Sequence, residues 1–249
     1  MRRLAGLLAA LALVAAGCGE DEGAASSEPI TVSAAASLKA AFTDFGKAHD
    51  ARFSFAGSDD LAAQIRQGAK PDVFAAANTK LPDALHDEGL VDAPRVFASN
   101  RLVIGVPADE EGISRLEDLA KPDVDLAIGA RDVPIGSYTR TVLERLPASQ
   151  RKAILSNVGS EEPDVAGIVG KLTQGAVDAG FVYRSDVRGS GGALRAIDLP
   201  DALQPQVAYG VAVVRGTEHP EEARAFVDGL LGPEGQEALR AAGLDPPPA

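Results

Sequence analysis

Two serines follow short runs of β-forming residues and stand where helical patterns begin. Ser37 comes after ITVSAAA at residues 30–36, and Ser58 comes after RFSFAG at residues 52–57. Serine is a favoured helix N-cap, where its side-chain oxygen accepts from first-turn amides. We therefore predict that both serines are N-caps. Helix starts also carry amides without intrahelical partners and a partial positive charge, so two adjacent starts predict an anion site. The alternative is that both serines only cap their helices.

The same change from strand to helix recurs later in the chain. Ile135 follows Pro134 after an apolar strand at 125–128, and Tyr183 ends the apolar run AGFVY at 179–183. In open α/β sheets, ligands bind beyond the carboxyl ends of the strands. Ser37, Ser58, Ile135 and Tyr183 all fall at such ends.

Catalytic and metal-ligating patterns are absent from the sequence. His49, His86 and His219 lie far apart, and no Gly-x-Ser-x-Gly motif occurs. The stretch from Gly167 to Lys171 lacks the first glycine of a phosphate-binding loop. We predict a binding protein that is not an enzyme; the alternative is a hydrolase or transferase that uses the same cleft.

Strands alternate with helices along most of the chain, which predicts an α/β fold with largely parallel sheets covered on both faces. Long apolar runs near 100–106 and 206–214 suggest that the chain passes between two lobes there. We expect one lobe from 30–99 and 213–249, and the other from 100–212. The pattern also predicts a strand at Ile154–Val158.

The N-terminal segment has the pattern of an export signal. In Met1–Gly17, two arginines precede the apolar run Leu4–Ala16, whose 13 residues are too few for a permanent bilayer span. The single cysteine, Cys18, follows small residues, as in a bacterial lipoprotein. We expect a cleaved signal peptide at 1–17 and a lipidated Cys18 with a flexible tether at 18–29; the alternative is an ordinary signal and a stray thiol.

The formal net charge is −12, and it becomes −14 without the two arginines of the signal. Such an acidic chain disfavours nucleic acid and anionic membrane surfaces as partners. It would also repel an anionic ligand at long range, although salt screens this repulsion beyond about 8 Å. An anion site must therefore be made by local dipoles.

Five short motifs occur in one order along the chain: AAASL (34–38), SFAGS (54–58), PDVF (71–74), VPIG (133–136) and GFVYRSD (180–186). Together they resemble the molybdate-binding proteins, the extracytoplasmic substrate-binding components of molybdate ABC transporters. The resemblance covers Ile30 to about Leu244. It implies the two-lobed type II periplasmic-binding-protein fold, with a mixed, mainly parallel sheet in each lobe, flanking helices and a ligand cleft between the lobes.

The resemblance also implies which groups hold the ligand. Ser37 and Ser58 would each give a hydroxyl and a backbone N–H, Ile135 and Val165 would each give a backbone N–H, and Tyr183 would give its phenolic O–H. Molybdenum would be bound only as the oxyanion, without a cofactor. The implied partners are molybdate or tungstate, an ABC permease and, through Cys18, the membrane; we expect a monomer on the extracytoplasmic side.

Two alternatives within this class and one orientation stay open. The ligand could be tungstate or sulfate, or the protein could be an extracytoplasmic oxyanion sensor that serves no permease. Asp59 stands one residue beyond Ser58, where a carboxylate could face the ligand or point outward and complement the helix dipole. Since acidic residues are common in a first helical turn, we expect Asp59 to point outward.

Overall fold

The computed structural model describes residues 28–248. Its strands are β1 (Ile30–Ala35), β2 (Ala51–Ala56), β3 (Val73–Ala76), β4 (Arg95–Asn100), β5 (Leu102–Pro107), β6 (Leu126–Gly129), β7 (Val158–Glu162), β8 (Ala179–Tyr183), β9 (Leu194–Asp198) and β10 (Val207–Val213). Its α-helices are α1 (Lys39–Gly46), α2 (Ser58–Arg66), α3 (Lys80–Asp87), α4 (Pro134–Glu144), α5 (Ala148–Ser156), α6 (Val165–Thr173), α7 (Arg184–Gly189), α8 (Pro220–Leu231) and α9 (Pro233–Ala241). Short 3₁₀ turns cover Ala36–Leu38, Leu116–Ala120 and Asp201–Leu203.

The first sheet has the strand order β2-β1-β3-β10-β4. The pairs of β1 with β2 and with β3 are parallel, whereas β10 is antiparallel to both β3 and β4. Strand β3 is buried along its whole length, as expected for a strand covered on both faces. One strand, β10, therefore runs against the other four.

The second sheet repeats this arrangement with the order β7-β6-β8-β5-β9. Here β6 pairs in parallel with β7 and β8, while β5 is antiparallel to β8 and β9. In each sheet the strand that runs against the others is the one reached by crossing from the other lobe. The predicted fold class, with two mixed, mainly parallel sheets flanked by helices, is confirmed.

The chain crosses between the lobes twice, and the positions expected from the sequence differ in accuracy. The chain leaves the first sheet at Asn100 and enters the second at Leu102, one residue from the expected boundary. It returns before Val207, because all of β10 pairs with β3 and β4. The expected return at residue 213 is therefore wrong, since the apolar run at 206–214 is itself a buried strand of the first sheet.

The C-terminal helices complete the first lobe. Helix α9 packs on α1, and α8 packs on β10. The ring of Phe226 on α8 lies 5.9 Å from that of Phe42 and 5.2 Å from that of Phe45, both of which belong to α1. This aromatic cluster packs α1 against α8.

Two other sequence predictions have clear outcomes. The strand predicted at Ile154–Val158 is wrong, because Ile154 belongs to α5 and the strand begins only at Val158. A short apolar run cannot by itself distinguish the end of a buried helix from a strand.

The predicted signal peptide and Cys18 lie outside the described residues. Within 28–248, no helix is long and apolar enough to cross a membrane.

Candidate functional site

A small pocket lies between the lobes, at the carboxyl ends of β1, β2 and β8. Its volume is about 250 Å³, including the part open to solvent. All five predicted ligand residues line it: Ser37, Ser58, Ile135, Val165 and Tyr183. The other lining residues are Ala35, Ala36, Ala56, Gly57, Ala77, Val133, Pro134, Pro163 and Asp164. None of these lining residues is Lys, Arg or His.

The first lobe contributes two helical starts to the pocket. Ser58 is the first residue of α2, and Ser37 is the middle residue of the 3₁₀ turn that precedes α1. The cap positions are occupied by Gly57 and Ala35, both with extended backbone angles and neither with a capping side chain. The prediction that Ser37 and Ser58 are N-caps is therefore wrong, by two residues for Ser37 and by one residue for Ser58. The first-turn amides consequently have no side-chain cap.

The two serine hydroxyls are bound within the first lobe instead. Ser58 Oγ accepts from the backbone N–H of Ala77 at 3.1 Å, which ties α2 to the end of β3. Ser37 Oγ lies 3.0 Å from the phenolic oxygen of Tyr209 on β10. Both serines are buried. Their oxygens are thus fixed by the lobe before any ligand is considered.

The second lobe contributes the starts of α4 and α6. Helix α4 begins at Pro134 after Val133, with no capping side chain, so the first N–H available in the turn is that of Ile135. An ideal Cβ at Gly136 would lie 1.8 Å from the carbonyl oxygen of Ala130. Only glycine lets α4 start this close to the end of β6, and this contact sets the position of the Ile135 amide.

Helix α6 is capped by an acidic residue. Asp164 accepts from the backbone N–H of Gly167 at 3.0 Å through its side chain, as an N-cap residue does. That bond leaves the N–H of Val165, the first residue of the helix, without a side-chain cap. Four helical starts, two from each lobe, therefore border one pocket.

Tyr183 brings a fifth polar group to the pocket. The side chain is 1 % exposed, and its hydroxyl has no hydrogen-bond partner among the described residues. Burial, and then the nearby Tyr209, Tyr138 and Asp186, raise the pKa of Tyr183 well above its ordinary value. The phenol stays protonated at physiological pH and can donate a hydrogen bond. A buried tyrosine hydroxyl normally finds a partner, so this one points to a ligand.

The lobes are in close contact beside the pocket. An ideal Cβ at Gly57 would lie 2.9 Å from the carbonyl oxygen of Pro163. Gly57 belongs to the first lobe and Pro163 to the second, so this seam brings the start of α2 towards the start of α6. A side chain at residue 57 would hold the two sets of amides apart.

Known proteins match this chain over most of its length. The model of the bacterial extracellular solute-binding protein family matches residues 30–245. The molybdate-binding protein ModA of Mycobacterium tuberculosis is 35% identical over 227 residues, which cover 88% of this chain and 85% of that one. The chain belongs to this family of molybdate-binding, extracytoplasmic solute-binding proteins of ABC transporters. The family resemblance predicted from the five motifs is confirmed, and the members are binding proteins, not enzymes.

Solved structures of the family's fold agree in architecture. A periplasmic molybdate-binding protein of Azotobacter vinelandii has a TM-score of 0.79 at 21% identity, covering 88% of this chain and 100% of that one. The sulfate-binding protein SubI of Mycobacterium tuberculosis has a TM-score of 0.73 at 17% identity, covering 88% and 87%. At these identities the likeness establishes the fold alone.

The orientation of Asp59 differs from the outward orientation that the sequence predicted. Its Oδ1 is buried without a hydrogen-bond partner among the described residues, and it lies 3.2 Å from the ideal Cβ position of Gly57. Burial, Asp60 and Asp164 raise the pKa of Asp59. The outward orientation is therefore wrong: the carboxylate folds back to the seam between the lobes, although it does not line the pocket.

Sequence reasoning missed the polar residues behind the pocket. Tyr209 lies in the middle of an apolar strand and is fully buried, and Asn100 is the last residue of β4. Asp186 accepts from the backbone N–H of Tyr183 at 2.9 Å, and burial raises the pKa of Asp186 to about 7. The signal for Tyr209 was available, since a tyrosine inside a buried strand needs a partner for its hydroxyl.

Proposed function

We propose that this chain captures molybdate, or the closely similar tungstate, in the pocket between its lobes and delivers it to an ABC permease. The unpartnered hydroxyl of buried Tyr183 is the observation that carries this proposal. It marks a place where a hydrogen-bond acceptor is required, beside four helical starts that offer further donors. The ModA relative binds molybdate according to its name, and this supports molybdate as the ligand.

The proposed ligand groups are neutral donors from both lobes. Ser37 and Ser58 offer hydroxyl and backbone N–H groups, Ile135 and Val165 offer backbone N–H groups, and Tyr183 offers its phenolic O–H. A hydrogen bond to a charged group contributes roughly 1.5–3 kcal/mol net. Several such bonds to the four oxygens of a tetrahedral dianion offset its desolvation without a cationic side chain, and no other cofactor is needed.

Donors on both sides of the cleft make the ligand a bridge between the lobes. An ion that contacts both lobes binds the closed arrangement better than an open one, so it shifts the population towards closure. We propose that the permease recognises this closed form. The same capture step would serve a sensor, and the neighbouring genes would distinguish a sensor from a transporter component.

The lipid anchor forms a separate part of the proposal. We propose that Cys18 becomes the acylated first residue of the mature protein and that residues 18–29 tether the binding lobes to the membrane. A single acyl chain gives only marginal membrane binding, so stable anchoring needs further chains. Metabolic labelling with a fatty-acid probe tests this step, because Cys18→Ser abolishes the label if Cys18 is the acylated residue.

Calorimetric titration with molybdate, tungstate, sulfate and phosphate tests the ligand. We expect one tightly bound molybdate or tungstate per chain and much weaker binding of sulfate, the ligand named for the SubI structure. Small-angle scattering should show a smaller radius of gyration with molybdate. Equal affinity for sulfate and molybdate would remove the specificity, and no binding of any tetrahedral anion would refute the function.

A further inference from the structure

A chain of buried hydrogen bonds runs from the pocket to the crossing between the lobes. Ser37 Oγ lies 3.0 Å from the phenolic oxygen of Tyr209, and Asn100 Nδ2 donates to that same oxygen at 3.3 Å. Asn100 Nδ2 also donates to Ser185 Oγ on α7 of the second lobe, at 2.8 Å. All four side chains are buried, so bulk water cannot substitute for these bonds.

The backbone fixes the direction in which these bonds donate. The N–H of Arg101 donates to Asn100 Oδ1 at 2.9 Å, which identifies that end of the amide as the acceptor. The other end is then the NH₂ group, and it has two hydrogens for two partners, Tyr209 and Ser185. An amide flip would place two donors against each other at Arg101. Asn100 is therefore a donor towards Tyr209.

The donation continues from Asn100 to the pocket. The Tyr209 oxygen accepts from Asn100, and burial keeps the phenol protonated because it raises the pKa of Tyr209. The one phenolic hydrogen of Tyr209 then has Ser37 Oγ as its partner. Since Ser37 accepts from Tyr209, the single hydrogen of Ser37 is left for the pocket.

We propose that Tyr209 and Asn100 are positioning residues that hold the Ser37 hydroxyl as a hydrogen-bond donor towards the bound oxyanion. This inference rests on the proposed function, because it assigns the orientation of one of its ligand groups. Without Tyr209, the Ser37 hydroxyl would be free to rotate and would lose part of its interaction with the anion. The two residues act through Ser37 and do not line the pocket.

A double-mutant cycle tests this dependence. Molybdate affinity is measured for the wild-type protein, Ser37→Ala, Tyr209→Phe and the double variant. We expect Tyr209→Phe to weaken binding about tenfold when Ser37 is present and about twofold or less when residue 37 is alanine, a coupling within the usual range for contacting residues. A merely structural role of Tyr209 would weaken binding equally in both backgrounds, and that result would overturn the proposal.

Tyr138→Phe is the matched control. Tyr138 is a half-buried tyrosine whose ring lies 6.5 Å from that of Tyr183. It makes no hydrogen bond to Ser37. We expect its effect on affinity to be the same with serine or alanine at residue 37. Coupling as large as that of Tyr209 would show that the cycle reports general perturbation and would overturn the proposal.

Asn100→Asp provides a second variant if Tyr209→Phe does not fold. A carboxylate can only accept, so Tyr209 would donate to it, and Ser37 would then donate to Tyr209 and lose its hydrogen for the anion. We expect Asn100→Asp to weaken molybdate binding about tenfold more when residue 37 is serine than when it is alanine. With alanine at residue 37, only the change of charge acts on the affinity. Equal losses in both backgrounds would overturn the relay. Absence of molybdate binding by the wild-type protein would instead refute the proposed function.

Discussion

The two lobes share one strand order but hold their pocket hydroxyls differently. In the first lobe, Ser58 Oγ accepts from the N–H of Ala77 and Ser37 Oγ is bound to Tyr209. In the second lobe, the hydroxyl of Tyr183 has no partner among the described residues. The first lobe therefore holds its two hydroxyl oxygens by bonds within the lobe, which leaves only their hydrogens for a ligand, whereas the hydroxyl of Tyr183 in the second lobe makes no bond to the described residues.

This difference has a thermodynamic consequence for closure. A buried polar group without a partner costs about 1–3 kcal/mol, and the Tyr183 hydroxyl is buried at the pocket between the lobes. The closed arrangement is therefore disfavoured without a ligand and favoured when an acceptor reaches the phenol. Under the proposed function, we therefore expect closure and binding to be coupled through the Tyr183 hydroxyl of the second lobe, whereas the serine oxygens of the first lobe already have protein partners.

Holding the lobes apart should have the largest effect on binding. In Gly57→Ala, the new Cβ would lie 2.9 Å from the backbone oxygen of Pro163, so the two lobes must move apart at this seam. The donors of the second lobe would then lie too far from the anion for hydrogen bonds. The backbone angles of Gly57 suit alanine, so the fold should persist. If two charged hydrogen bonds are lost, at roughly 1.5–3 kcal/mol each, molybdate affinity falls by about 100-fold or more. Calorimetric titration measures this loss.

Gly159→Ala is the matched control for the seam. An ideal Cβ at Gly159 meets no atom within 4 Å, and this glycine lies on β7 of the second lobe. We expect unchanged affinity for this variant. Equal affinity of Gly57→Ala and the wild-type protein would show that binding does not require the lobes to meet at this seam.

Removing the free hydroxyl of the second lobe should have the next largest effect. Tyr183→Phe deletes a donor to the oxyanion, and affinity should fall by roughly 1.5–3 kcal/mol, the contribution of a hydrogen bond to a charged group. The same change should leave the ligand-free protein as stable as before, or more stable, because no protein partner is lost. Titration and thermal unfolding, measured together, test these opposite effects. A clear loss of ligand-free stability would mean that the hydroxyl serves the fold.

The sequence predicted the pocket residues because the pocket is built from local turns. Each of the five lies where a strand ends or a helix begins, and those positions can be read from the change in hydrophobic period. The same reasoning placed the N-caps wrongly, because the favoured cap residue serine lies inside the first turn here and the cap positions are held by Ala35 and Gly57. The hydrogen-bond partners of the two serines, Tyr209 for Ser37 and Ala77 for Ser58, cannot be predicted from local patterns, because they are distant in sequence.

Tertiary contacts explain the remaining failures. The surroundings of Asp59 are set by tertiary packing, because its Oδ1 lies beside Gly57, where the second lobe brings the carbonyl oxygen of Pro163, and because the carboxylate of Asp164 raises its pKa. The return to the first lobe was misplaced because β10 is buried on both sides, and a uniform apolar run does not reveal which sheet it joins. The pairing of β10 with β3 and β4, which are distant in sequence, cannot be predicted from local patterns.

Removing the Ser58 hydroxyl of the first lobe should reduce the stability of the ligand-free protein. In Ser58→Ala, the buried N–H of Ala77 loses its acceptor, and we expect the free energy of unfolding without ligand to fall by about 1–3 kcal/mol. Chemical denaturation of the ligand-free protein measures this change. The comparison between the lobes predicts that Tyr183→Phe lacks this loss. Equal destabilisation by both variants would contradict the difference proposed for the two lobes.

The smallest effect should come from Asp59, which faces the seam between the lobes. Burial and the carboxylates of Asp60 and Asp164 raise its pKa from the ordinary 3.8. The folded chain then keeps this proton at pH values where the unfolded chain has lost it. The free energy of unfolding therefore falls as the pH rises from 3.8 through the folded pKa, and it stays reduced at neutral pH. Asp59→Asn should remove this dependence and raise neutral-pH stability by less than about 1 kcal/mol, because the lost interaction with the helix dipole offsets part of the gain.

Denaturation of the wild-type protein and Asp59→Asn between pH 4 and pH 8 tests this sign, with Asp83→Asn, at an exposed residue in the first turn of α3, as the control. The stability difference should shrink towards the acid end, because a growing share of the unfolded chains is protonated at Asp59 as the pH approaches the ordinary pKa of 3.8. Molybdate affinity should rise by less than about tenfold, or about 1.4 kcal/mol, because the carboxylate lies beside the pocket and does not line it. A neutral-pH loss of stability in Asp59→Asn would mean that the helix dipole outweighs burial. A larger gain in affinity would mean that the Asp59 carboxylate faces the anion. The first lobe would then both repel the anion through this carboxylate and bind it through its helix amides.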